Sequence, residues 1–121
     1  MSNVIRWQIT LVFGSDSARA EALPDVLETL SEHVAPSECI VGGENELSMP
    51  SVTGSSYSAT TLLNHLYMLE EKYGLTAEVL TTRDGEQTKS ILKDGVLSVY
   101  KPTTVWNLVN NIRLSLENPP L

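Results

Sequence analysis

The residues from Val4 to Phe13 alternate strictly. Ile5, Trp7, Ile9, Leu11 and Phe13 fall on one side; Val4, Arg6, Gln8, Thr10 and Val12 fall on the other. Successive side chains of a strand point to opposite faces, so this run predicts a half-buried strand with one strongly apolar face and one mixed face. The mixed face constrains the architecture. A strand of a doubly wound parallel sheet is covered on both sides and is apolar throughout. This strand instead requires a sheet with helices on a single face, the other being open to solvent or to a second subunit.

The remaining elements follow from spacing and punctuation. After Gly14, Ser15, Asp16 and Ser17, a helix is expected to run to about Val34, with Leu23, Val26, Leu27, Leu30 and Val34 at helical spacing. Pro24 places its regular start nearer Ala20 or later, because a first-turn proline lacks no needed donor. Glu38–Val41 and Leu47–Val52 read as short strands, with Pro50 confining the second to an edge. Ser58 is a suitable N-cap for a second helix whose stripe is Leu62, Leu66, Leu69 and Tyr73, and Gly74 is its expected terminator. Thr76–Thr82 reads as a strand. Asp84-Gly85 and Asp94-Gly95 are hairpin signals, and the mostly polar Glu86–Leu92 between them suits an outer strand. Val96–Tyr100 is a further strand. Thr103 or Thr104 caps a last helix with the stripe Val105, Leu108, Val109, Ile112 and Leu116.

The order is β-α-β-β-α-β-β-β-α over a single domain, residues 1–121. It predicts an α+β two-layer sandwich: a ferredoxin-like βαββαβ core extended by a C-terminal ββα. The alternative parse drops one middle strand and gives a thioredoxin-like βαβαββα. The loop 14–17 would then hold the redox position, but it contains no cysteine, and Leu75, Thr76 and Ala77 stand where such folds place a proline before the third strand. Dithiol chemistry is not expected under either parse. Cys39 is the one cysteine and reads as a small buried hydrophobe.

Candidate sites are few. Gly14, Ser15 and Ser17 join a strand end to a helix start, where backbone N–H groups and the helix dipole can hold an anion. Capping by the same serines is the competing role. Ser55 and Ser56 belong to the polar segment Ser48–Thr61, read as a flexible connector, as a mobile binding loop that forms a second wall of such a ligand site, or as a site of phosphorylation. Trp106, with Asn110 and Arg113 on one side of the last helix, forms an expected aromatic–polar ridge, and Trp and Arg are enriched at interface hot spots. Arg6 and Gln8 lie on the mixed face of the first strand. His33 and His65 each sit in a helix. A helical metal site needs a second ligand three or four residues away, and Thr29, Leu30, Pro36, Ser37, Thr61, Leu62, Met68 and Leu69 occupy those positions. Spacing therefore predicts no metal and no cofactor. No Gly-x-Ser-x-Gly elbow or Ser/His/Asp set is visible.

The charge excludes more than it identifies. A net charge of −7 with eight scattered basic residues argues against nucleic acid and anionic membranes as partners. No apolar run approaches the ~20 residues that span a bilayer, and the first residues lack a signal-peptide pattern. The chain is expected to be cytoplasmic. The leading functional expectation is a non-catalytic binding or regulatory module acting through protein–protein contacts or self-association, including an inhibitor or immunity-type protein that masks a basic partner. The alternative is an enzyme or small-ligand binder that takes an anionic metabolite at loop 14–17.

Overall fold

The alternating run becomes strand β1, Ile5–Val12, inside a six-stranded sheet in the computed structural model, which describes residues 4–43 and 45–100. The other elements are α1 (Asp16–Thr29), a 3-10 turn at Pro36–Glu38, β2 (Ile40–Val41), β3 (Glu46–Gly54), α2 (Ser56–Tyr73), β4 (Thr76–Arg83), β5 (Glu86–Lys93) and β6 (Val96–Tyr100). The strand order is β2-β3-β1-β4-β5-β6, and every pairing is antiparallel. The chain is thus α+β, with a six-stranded antiparallel sheet and, among the described residues, two α-helices. Both middle strands exist, so the parse that drops one of them is not the one the chain follows.

The core lies where the alternation puts it. Ile5, Trp7, Ile9, Leu11 and Phe13 are buried together with Ala22, Val26 and Leu30 of the α1 region and Leu62, Leu66 and Leu69 of α2. Full burial of one such aliphatic side chain contributes about 1.5–3 kcal/mol, which is the main force holding both helices on this face. Arg6 and Gln8 on the opposite face stay exposed. No described helix covers that face.

Several boundaries differ from expectation, each for a local reason. Helix α1 starts at Asp16, not near Ala20, and carries Pro24 in its interior. Ala20 and Pro24 are both exposed, so the carbonyl deprived of its i+4 donor stays in water. The helix also stops at Thr29, and tight turns continue to the buried Val34 through Val34 N–H donating to Leu30 O at 3.0 Å. Helix α2 is capped by Ser55; Ser58 is its N3 residue, and the two hydroxyls form a reciprocal capping box.

Pro50 does not confine β3 to an edge. β3 lies between β2 and β1, but β2 reaches only Leu47 and Ser48, and the β3–β1 register shifts between Trp7 and Ile9, opposite Pro50 and Ser51. At that bulge a missing donor is tolerated. The extra residue also keeps Leu47, Met49 and Val52 all buried. β5 is likewise internal, paired to β4 and β6, despite its polar composition. The turn signals hold: Asp84, Gly85, Asp94 and Gly95 all have positive φ, as two-residue hairpin turns demand. Gly74 closes α2 in the left-handed region, with its N–H donating to Glu70 O at 2.8 Å. Cys39 is half-buried against the core.

Candidate functional site

Two segments of different origin meet where the turns after α1 pack against α2. Glu32 and His33 lie in the turns that follow α1; His65 lies mid-way along α2. His33 Nε2 is 3.0 Å from His65 Nδ1. Glu32 Oε1 lies 3.4 Å from His65 Nδ1 and 3.7 Å from His33 Nε2. The rings meet edge-on, with centroids 5.2 Å apart and planes at 63°.

The local sequence explains this convergence. His65 follows Leu62 by three and precedes Leu66 and Leu69, so it borders the buried stripe of α2. His33 N–H donates to Leu30 O at 2.9 Å, which fixes the turn, and the neighbouring Val34 anchors it in the core. The side chain of His33 is only 5% exposed, that of His65 22%, and that of Glu32 58%. Burial lowers the pKa of His33; the Glu32 carboxylate opposes this and His65 adds to it. The imidazole is thereby favoured in its neutral form, the form that offers a lone pair. Asp25, Glu28, Thr29, Ser31 and Met68 line an open cleft beside Glu32 and His65.

Helix spacing does not reveal this group. The histidines are 32 positions apart, and a test for ligands on one helix face looks only within a turn. The one sequence signal is weak: each histidine sits at the flank of an apolar stripe, and two such flanks can meet when helices pack.

The anion-loop residues have structural partners. Ser15 Oγ accepts from Ala18 N–H at 3.0 Å as the N-cap of α1. Asp16 Oδ1 accepts from Asn45 N–H at 3.2 Å and pairs with Arg19 at 3.4 Å. Arg19 in turn donates to the carbonyls of Gly42, Gly43 and Glu46, each at 3.1 Å. Gly14 and Ser17 are exposed beside this clamp. Ser55 and Ser56 open α2 at the other end of β1: Gly54 pairs with Ile5, whereas Glu46 pairs with Val12. At ~3.4 Å per residue, β1 holds the two candidate walls roughly 25 Å apart, so they share no cleft.

Arg6 and Gln8 do come together with other side chains on the uncovered sheet face. One cross-strand row runs Gln8, Leu80, Lys89, Tyr100; the next runs Thr10, Glu78, Ile91, Ser98. A shallow depression of about 210 Å³ lies between Gln8, Thr10, Glu78, Leu80 and Lys89. On the helical side, an apolar cleft of about 280 Å³ is lined by Trp7, Leu62, Leu66, Val79 and Leu97. Trp106, Asn110 and Arg113 lie outside the described residues, as does the last expected helix. No described helix is long and apolar enough to cross a membrane.

The sequence matches no protein-family model, no curated protein and no solved structure.

Proposed function

We propose that this chain is a small non-catalytic binding module that associates with a second copy of itself through the uncovered sheet face. The observation that carries this reading is the make-up of that face. Arg6, Lys89 and Lys93 stand against Glu46 and Glu78, a near-balance in a chain of net charge −7. Most of the negative charge therefore lies elsewhere. Two acidic copies repel least when they meet by this face, and cations of one copy find carboxylates of the other. Leu80 and Ile91 are half-buried at its middle, and Val96 and Tyr100 are exposed at its edge.

Size is also adequate. Four strands about 27 Å long and the shorter β6, spaced ~4.8 Å apart, present roughly 600 Å² in projection. Side-chain relief brings that near the ~800 Å² per partner of a standard interface. A ferredoxin-like core extended at its β4 edge goes with this reading, supported by the antiparallel order β2-β3-β1-β4. So does a cytoplasmic location, supported by the single Cys39. Trp106, Asn110 and Arg113 are proposed as a second contact surface.

Light scattering on the purified chain across a concentration series tests the reading. A dimer is expected, and Leu80→Lys with Ile91→Glu should give a monomer with unchanged circular dichroism. A wild-type chain that stays monomeric at the highest concentration reached would end the proposal.

A further inference from the structure

The cluster of Glu32, His33 and His65 has the dimensions of a coordination shell. A tetrahedral ion with bonds of about 2.0–2.1 Å to nitrogen holds its donors about 3.3–3.4 Å from one another. The three donor–donor distances are 3.0, 3.4 and 3.7 Å, which bracket that edge length. We propose that Glu32 Oε1, His33 Nε2 and His65 Nδ1 bind one divalent transition-metal cation of the zinc class, its fourth position facing the cleft beside Asp25 and Glu28.

Lone-pair accounting supports a cation at this point. Two ring nitrogens 3.0 Å apart have room for one N–H between them. The other nitrogen must present its lone pair, and the carboxylate oxygen of Glu32 presents more from the side. A proton between the rings joins the two nitrogens and leaves the exposed Glu32 carboxylate to water; a metal ion engages all three at once.

The donor types select the ion. Imidazole favours zinc, copper and nickel, whereas calcium and magnesium take oxygen donors and larger shells. Three protein ligands with a fourth position at a cleft leave room for water or for a donor from a bound molecule. Glu28 lines that cleft outside the donor triangle and adds negative charge there, whereas Asp25 is paired with Lys72. The ion would fasten the turns after α1 to the middle of α2. This inference is independent of the proposed dimer, which uses the opposite side of the sheet.

The test uses the whole chain after chelator treatment, titrated with Zn²⁺ alone by calorimetry. One ion per chain is expected, with a rise in melting temperature, and Co²⁺ in its place should give the strong visible absorption of a tetrahedral site. Glu32→Gln and His65→Gln should each weaken Zn²⁺ binding by about 10-fold or more, since loss of a ligand exceeds loss of its outer-shell support. Glu32 is exposed, so its variant should fold normally and decides the matter if His65→Gln does not fold. Absence of saturable Zn²⁺ binding overturns the proposal. So does binding whose affinity is unchanged in Glu32→Gln, because the ion would then sit elsewhere. Leu80→Lys with Ile91→Glu should bind Zn²⁺ like the parent chain.

Discussion

Tyr73 donates its hydroxyl to Asp25 Oδ2 at 2.5 Å, tying the last turn of α2 to the middle of α1. Lys72 Nζ reaches the same oxygen at 2.7 Å, and Thr29 donates to Oδ1 at 3.2 Å. Lys72, then Tyr73, hold the carboxyl of Asp25 below its ordinary pKa of 3.8.

Stability should therefore depend on acid in a defined direction. A carboxylate with a depressed folded pKa stabilises the protein above its unfolded pKa, and that contribution is lost as pH falls through the folded value. Urea midpoints measured from neutral pH down through the carboxylate range should fall more steeply for the parent than for Asp25→Asn. On the alkaline side, Lys72 and Tyr73 both have raised pKa values, each chiefly through its bond to Asp25. Their contribution holds below their unfolded pKa values and is lost as pH rises through the folded ones. Equal slopes for parent and variant at both extremes would show the trio to be energetically silent.

Glu70 is the buried carboxylate of α2, 7% exposed, and it accepts from Gly95 N–H at 3.0 Å. It thereby fastens the β5–β6 turn to the helix. Glu70→Ala should cost about 1–3 kcal/mol, because a partly buried N–H loses its partner. Glu70→Gln keeps an acceptor and should cost much less. Chemical denaturation of the two variants separates these outcomes.

Gly54 packs where no side chain fits. A Cβ there would come 2.8 Å from Trp7 Cζ3 and would also press on Ser58 Oγ, the capping-box hydroxyl of α2. Gly54→Ala should cost roughly 1–3 kcal/mol by overpacking. The melting temperature should fall and the near-ultraviolet signal of Trp7 should change with it.

Arg19 holds the 42–46 loop by three carbonyl contacts at 3.1 Å. Arg19→Met keeps the aliphatic stem and removes the fork. A loss of about 1.5–3 kcal/mol is expected for charge-assisted bonds of this kind. Amide exchange should accelerate first at Asn45, whose N–H is held by Asp16.

Elements governed by local rules are legible in the residues themselves. The alternation of Ile5, Trp7, Ile9 and Leu11 marks the buried face, and Arg6 and Gln8 mark the open one. The Asp-Gly pairs mark both hairpins, because few other residues accept positive φ at both positions. Elements whose role depends on neighbours depart from expectation. Polar β5 is internal because β6 covers its far edge, and Pro50 sits inside a non-edge strand because the bulge absorbs its missing donor. Helix α1 begins a turn earlier than Pro24 suggests, because a proline's cost depends on whether the orphaned carbonyl meets water. Exposure decides that, and composition does not.

The candidate sites divide in the same way. Arg6 and Gln8 are readable because strand parity assigns them a face. The loops 14–17 and 55–56 are expected to share a site, but register holds them at opposite ends of β1. The pairing of His33 with His65 leaves no trace in spacing, since only the packing of the turns after α1 against α2 brings them together.

By itself, then, the sequence determines the face each side chain of β1 takes, the turns that reverse the chain and the net acidity of the whole. All three depend on covalent neighbours or on summed charge. The tertiary structure alone decides the strand order, the bulge opposite Gln8, the clamp of Arg19 and the meeting of Glu32, His33 and His65. Those depend on the register and packing of segments far apart in the chain, and their free energy exists only once both partners are in place.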